Sequence, residues 1–187
     1  MKYDIIFAGV GGQGIVSVAA MVVEAASREG LNAKQNEVHG MAQRGGAVSC
    51  HVRISDKPIW ADIIPKGEAD YILSTEPMEA LRYVEYLSPN GTIITSNQPV
   101  KNIAYPDEGE IIARIKKRES SIVVDTAKIT SELSNPRVSN IAVLGALLKK
   151  MGILQNTIEG SIKKKFAGKG EKVIEANLKA LTAGMNP

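Results

Sequence analysis

The sequence predicts one α/β domain with a mostly parallel sheet between helical layers, a β-hairpin insertion and a helical carboxyl-terminal part. Three observations carry this. The apolar run Asp4-Ile5-Ile6-Phe7-Ala8 passes through Gly9-Val10-Gly11-Gly12-Gln13-Gly14 into a helical stretch from Ile15 to Glu29. Apolar runs and helical patterns then alternate from Ala69 to Asp125, as in a parallel sheet with crossover helices. From Thr126 onward every periodic segment is helical.

The opening strand is short and continuously apolar, the pattern of a strand buried on both faces. Glycines at 9, 11 and 14 have the spacing of a tight strand-to-helix turn in a Rossmann-like, three-layer α/β/α domain. Such a turn lets another group approach the backbone, and the free N–H groups at the helix start favour an anion. The helix that follows is rich in small residues, Ser17, Ala19, Ala20, Ala25 and Ala26, and Gly30 is placed to stop it.

Leu31 to Val38 reads as a second strand. Glu37 lies at its end, where an acid in a nucleotide-binding Rossmann fold takes ribose hydroxyls. In Ala47 to Ile54, Val48, Cys50, Val52 and Ile54 alternate with Ser49, His51 and Arg53, so one face should meet the core. On this reading Cys50 is a small buried residue and His51 faces solvent or an interface. After the turn Ser55 to Pro58, Ile59-Trp60 is expected to return as a short hairpin partner.

Ala69 to Ser74 is a further strand, and Pro77 opens a helix running to Leu87, closed by the turn Ser88-Pro89-Asn90-Gly91. Thr92 to Ser96 is the next strand, residues 97 to 109 a loop, Glu110 to Glu119 a helix and Ile122 to Asp125 the last strand. Helices at Thr126 to Leu133, from Ser139 or Asn140 to Lys150, at Gln155 to Phe166 and at Gly170 to Thr182 complete the chain. The lysines at 163, 164 and 165 read as a solvated helix face rather than a phosphate site.

The 187 residues suffice for one core and are few for two. With 23 bases against 20 acids the net charge is only +3, which gives no argument for a nucleic-acid partner. The single cysteine excludes an internal disulfide and cannot supply the four thiolates of an iron-sulfur cluster. The amino terminus runs directly into a strand, and no apolar run approaches the roughly 20 residues of a membrane span, so a cytoplasmic protein is expected.

The second glycine-rich element, His39-Gly40-Met41-Ala42-Gln43-Arg44-Gly45-Gly46, puts acceptor, switchable and cationic groups on a permissive backbone. That density marks a site or an interface. The two glycine elements, the strand Val48 to Ser55 and Ser139-Asn140-Ile141-Ala142-Val143-Leu144-Gly145 together resemble the gamma-type component of the 2-oxoacid:ferredoxin oxidoreductases. The wording from His39 to Gly46 is most similar to the family's indolepyruvate branch.

The resemblance implies an accessory subunit of a complex that oxidatively decarboxylates an aryl 2-oxoacid to an acyl-coenzyme A and reduces ferredoxin. Thiamine pyrophosphate, magnesium and [4Fe-4S] clusters would sit on a partner subunit, because this chain lacks the Gly-Asp-Gly start of the thiamine motif and has no cluster ligands. No catalytic residue is assigned to this chain alone. Binding or subunit-interface roles fall on Gly9, Gly11, Gly12, Gln13, Gly14, Glu37, His39, Gly40, Gln43, Arg44, Gly45, Gly46 and Asn140. Other readings of the same residues are a free-standing dinucleotide-binding protein, a gamma subunit of a pyruvate or 2-oxoglutarate enzyme, and a purely structural interaction subunit.

Overall fold

In a computed structural model the described residues are 1–39 and 45–187, with His39 described only as strand backbone. Six strands form one sheet in the order β2-β3-β1-β4-β5-β6. In chain order these are β1 (Lys2–Val10), β2 (Asn32–His39), β3 (Ala47–Ser55), β4 (Ala69–Ser74), β5 (Leu87–Ser96) and β6 (Ile122–Val124). β1, β4, β5 and β6 run parallel, while β3 is antiparallel to both of its neighbours, β1 and β2. The mostly parallel α/β class expected from the sequence is therefore the one observed.

Among the described residues seven α-helices cover the two faces: α1 (Ile15–Arg28), α2 (Pro77–Arg82), α3 (Glu108–Lys116), α4 (Thr126–Glu132), α5 (Ser139–Met151), α6 (Gln155–Phe166) and α7 (Glu171–Gly184). Ile5 and Phe7 of β1 point into a large core with α1, α5, α6 and α7. Ile6 points the other way, into a smaller core with residues of α2 and α3. Opposite-facing neighbours on one strand, both fully buried, make the middle layer of a three-layer sandwich.

The hairpin insertion lies elsewhere than expected. It is β2 paired with β3, placed so that β3 separates β2 from β1. Ile59-Trp60 forms no strand. Pro58 has no backbone donor, and the segment is held by side chains instead: Lys34 Nζ donates to the Trp60 carbonyl at 3.4 Å, and Arg53 Nη1 to those of Ala61 and Ile63 at 3.3 and 3.2 Å.

Two other expectations change. α2 stops at Arg82, and after one 3-10 turn Leu87 already belongs to β5, where its buried side chain joins the smaller core. Ser88 to Gly91 is thus an irregularity within the strand, with Ala69 opposite Leu87 and Tyr71 opposite Thr92. Arg118 Nη1 supports it by donating to the carbonyls of Ser88, Pro89 and Gly91. His51 is buried at 7% exposure instead of facing solvent, because the segment around Ile64 covers that face of β3.

At the amino end of β1 the fully buried Asp4 carboxylate is neutralised by Arg53, whose Nε and Nη2 lie at 2.8 and 3.0 Å, and by Lys2 at 2.8 Å. Bidentate geometry of this kind offsets the desolvation of a buried carboxylate. Cys50 is fully buried, and burial, followed by the Glu37 charge, pushes its thiol up to about 12, so it is an inert packing residue.

α5 and α7 approach backbone to backbone through glycine. A Cβ on Gly184 would lie 1.8 Å from the Ala142 carbonyl oxygen, and one on Gly145 would lie 2.1 Å from that of Leu181. Gly184→Ala should therefore destabilise the domain by about 2 kcal/mol or more, the usual scale of overpacking. A lowered urea midpoint at unchanged slope would register it, whereas an unchanged midpoint would mean that the two helices separate freely.

Candidate functional site

β1 feeds directly into the first glycine element. Gly12 and Gly14 have φ of 102° and 76°, the left-handed region that side chains avoid. Gly9 is needed for a different reason, since a Cβ there would lie 2.3 Å from Thr75 Oγ1. Gly14 also serves as the cap of α1, which has no side-chain cap and no acid in its first turn. The first amides of that helix are left for a ligand or water.

Gln13 holds the turn in shape. Its Oε1 accepts from the Val10 amide and from Thr75 Oγ1, each at 2.8 Å, and its Nε2 donates to the Thr75 carbonyl at 3.1 Å. Asn140 Nδ2 donates to the Gln13 carbonyl at 3.0 Å, tying the start of α5 to the same turn. The Asn140 Oδ1 is buried with no partner among the described residues. The two glycine elements meet as well: the Gly11 amide donates to the Gly46 carbonyl at 2.8 Å and the Gly45 amide to the Gly11 carbonyl at 3.2 Å. Asn102, from the loop after β5, donates to the Gly45 carbonyl.

This turn forms one wall of a crevice of about 590 Å³ beyond the carboxyl ends of the parallel strands, on the α1 and α5 side. Thr75, Ser96 and Gln98 supply hydroxyl and amide groups, and Arg137, Lys165 and Lys169 supply positive charge. No acid lines it among the described residues. Lys169 Nζ also sits 5.7 Å from the centre of the Phe166 ring. A glycine turn, an uncapped helix start and three bases are all groups that attract an anion.

The sequence-predicted residues divide into two groups. Gly12, Gln13, Gly14 and Asn140 line the crevice, Gly9 shapes its floor, and Gly11, Gly45 and Gly46 join the two loops. Glu37 is exposed on β2 opposite Cys50, which is itself opposite Phe7, so it lies two strands, roughly 10 Å, from β1. The acid of a dinucleotide fold belongs on the strand next to β1, so the intervening β3 removes the geometry that Glu37 suggested. Gly40, Gln43, Arg44 and the side chain of His39 lie outside the described residues.

Sequence reasoning missed Thr75, Gln98, Arg137 and Lys169, and set Lys165 aside as part of a solvated run. All three lysines of that run are exposed, but Lys164 faces Glu24 at 3.8 Å while Lys165 rims the crevice. Only the packing of α6 beside α1 separates them.

The described residues define an α/β fold with a crevice lined by a glycine turn, a helix start and three basic side chains. Among the described residues no three His, Cys, Asp or Glu side chains gather as a metal site, and no helix is long and apolar enough to cross a membrane. Comparison with known proteins makes the class specific. The family model for pyruvate ferredoxin/flavodoxin oxidoreductase matches residues 4–186, and the chain belongs to that family.

It is 35% identical to the indolepyruvate oxidoreductase subunit IorB of Archaeoglobus fulgidus, over 100% of this chain and 95% of that one. It is 30% identical to the pyruvate/ketoisovalerate oxidoreductases common subunit gamma of Pyrococcus furiosus, over 90% of both chains. Pyruvate oxidoreductase subunit PORC of Thermotoga maritima shares the fold at a TM-score of 0.75 and 25% identity, over 99% of this chain and 96% of that one. In the 2-oxoglutarate:ferredoxin oxidoreductase of Magnetococcus marinus, 99% of this chain matches 30% of a longer one, at a TM-score of 0.79 and 24% identity. The protein is accordingly an accessory subunit of an oxidoreductase that acts on an oxo group with an iron-sulfur protein as acceptor.

The clamp on the turn gives a direct test. Gln13→Leu removes the acceptor for two donors and leaves the Val10 amide and the Thr75 carbonyl without their side-chain partner. It should destabilise the domain by about 2 kcal/mol, since each orphaned buried group costs about 1–3 kcal/mol. Urea unfolding reads this, and stability equal to the parent's would show that the turn does not depend on Gln13.

Proposed function

We propose that this chain is the accessory subunit of an indolepyruvate-type 2-oxoacid:ferredoxin oxidoreductase and that its crevice holds the phosphates of coenzyme A. The observation that carries the reading is the crevice itself: the glycine turn and uncapped α1 face Arg137, Lys165 and Lys169, with no acid in the described lining. Coenzyme A, which the Magnetococcus enzyme was solved with, carries a pyrophosphate and a separate ribose phosphate. A turn of amides suits the first and a cationic rim the second. Full-length similarity to IorB favours an aryl 2-oxoacid as the donor substrate.

Thiamine pyrophosphate, magnesium and the [4Fe-4S] clusters are assigned to a partner subunit. This chain's one thiol is fully buried and held protonated, so its donor set does not fit a cluster. When bound by that partner, these groups supply the decarboxylation and the electron path to ferredoxin. What this chain contributes is binding and orientation, and alone it is inactive. The complex works in the cytoplasm. In the element from Glu37 to Gly46, Arg44 is the residue assigned to the partner's active-site side, where its planar fork pairs with a carboxylate or phosphate.

The reading is tested in the reassembled complex under anaerobic conditions, following indolepyruvate-dependent dye reduction. The double variant Arg137→Gln, Lys165→Gln should raise the KM for coenzyme A at least tenfold, as expected for two charge-assisted contacts, with kcat within about twofold. Arg44→Ala should instead lower kcat. An unchanged KM would remove the crevice from coenzyme A binding. Faster turnover with pyruvate or 2-oxoglutarate than with indolepyruvate would reassign the branch.

A further inference from the structure

Residues 56–66 lie as a strap across the face of β2 and β3 that is turned away from α1. Alternate sites fasten it. Arg53, itself locked by Asp4, donates to the Ala61 and Ile63 carbonyls at 3.3 and 3.2 Å. Asn36 donates to the Asp62 carboxylate at 3.1 Å. The Ile64 amide donates to Nδ1 of His51 at 3.0 Å, and the Ile64 side chain is fully buried beneath it. Trp60 and Ile63 meanwhile point outward, 91% and 55% exposed.

Besides His51 the strap is held by Arg53, by Asn36 and by Lys34, whose Nζ donates to the Trp60 carbonyl at 3.4 Å, and all three are donors whose role does not change with pH. His51 is the acceptor, and its role inverts on protonation. A buried ring that accepts at Nδ1 must be neutral and carry its proton on Nε2. We propose that the strap is an acid-released element: protonation of His51 turns Nδ1 into a donor facing the Ile64 donor, and the strap lifts, carrying Trp60 with it.

The surroundings set the direction. Burial holds the imidazole pKa below its ordinary 6.5, the Asp62 carboxylate raises it in part, and the Arg53 charge lowers it. The other groups against the ring are uncharged: the edge-on Tyr86 ring at 5.4 Å between centres, and the neighbours in register, Ile6 on β1 and Asn36 on β2. Because the closed state holds the depressed pKa, the contribution of His51 to closure is complete above pH 6.5 and is lost as pH falls below it. The equilibrium constant for opening rises by up to tenfold per pH unit in that window. This inference is independent of the coenzyme A reading.

Trp60 is the chain's single tryptophan, so fluorescence anisotropy of the unmodified protein, excited at the red edge where its five tyrosines do not absorb, reports the strap alone. Between pH 7.5 and 4.5 the anisotropy should fall reversibly with a midpoint below 6.5, while far-ultraviolet circular dichroism stays constant. His51→Asn keeps an acceptor near Nδ1 and cannot titrate, so its anisotropy should stay flat; His51→Gln serves if the Asn variant does not fold. Three results would overturn the proposal: a flat wild-type profile, an equal fall in the non-titrating variant, or loss of anisotropy only together with global unfolding.

Discussion

The architecture depends on how the Gln13 side chain closes the glycine turn. A chain leaving the end of β1 must reverse into α1 within four residues, and its backbone groups cannot be satisfied by the sheet alone. Gln13 bonds back to Val10 and across to Thr75, the residue that follows β4, so one amide satisfies the turn and ties it to the end of the neighbouring strand. Its carbonyl is taken by Asn140 of α5. Three distant parts of the chain are thereby fixed around the start of α1, and the crevice is what remains between them.

The second constraint is the antiparallel β3. By entering between β1 and β2 it moves the second strand to the edge of the sheet and brings Gly45 and Gly46 against Gly11. The product differs in kind from a dinucleotide fold: the glycine turn is kept, and the acid that would read a ribose is carried away from it. The proposed role of holding phosphates without reading a nucleotide's sugar suits a subunit whose chemistry is done elsewhere.

Much of this was legible in the sequence, and what was not has a common cause. The strand, glycine turn and helix from Asp4 to Glu29 were readable because each signal is local: a buried apolar run, glycines where φ is positive, and a helical period. The position of β3 was not, since strand order depends on pairing between distant residues and β2 looks the same beside either neighbour. His51 was misplaced because alternation assigns one face of a strand to solvent, whereas the strap and Tyr86 cover that face. Arg137 and Lys169 escaped notice, and Lys165 was read as solvated, because a basic surface residue has no local mark of what stands opposite. The family itself was readable because its glycine elements are worded closely enough to be recognised as a pair.

The central claim is that this subunit, and not its partner alone, receives the phosphates of coenzyme A. Amide hydrogen exchange of the intact complex, with and without coenzyme A, addresses it directly. Slowed exchange at residues 12 to 17 and 137 to 140 is the predicted result. Protection confined to the partner subunit, with those amides exchanging at their unliganded rates, would contradict it.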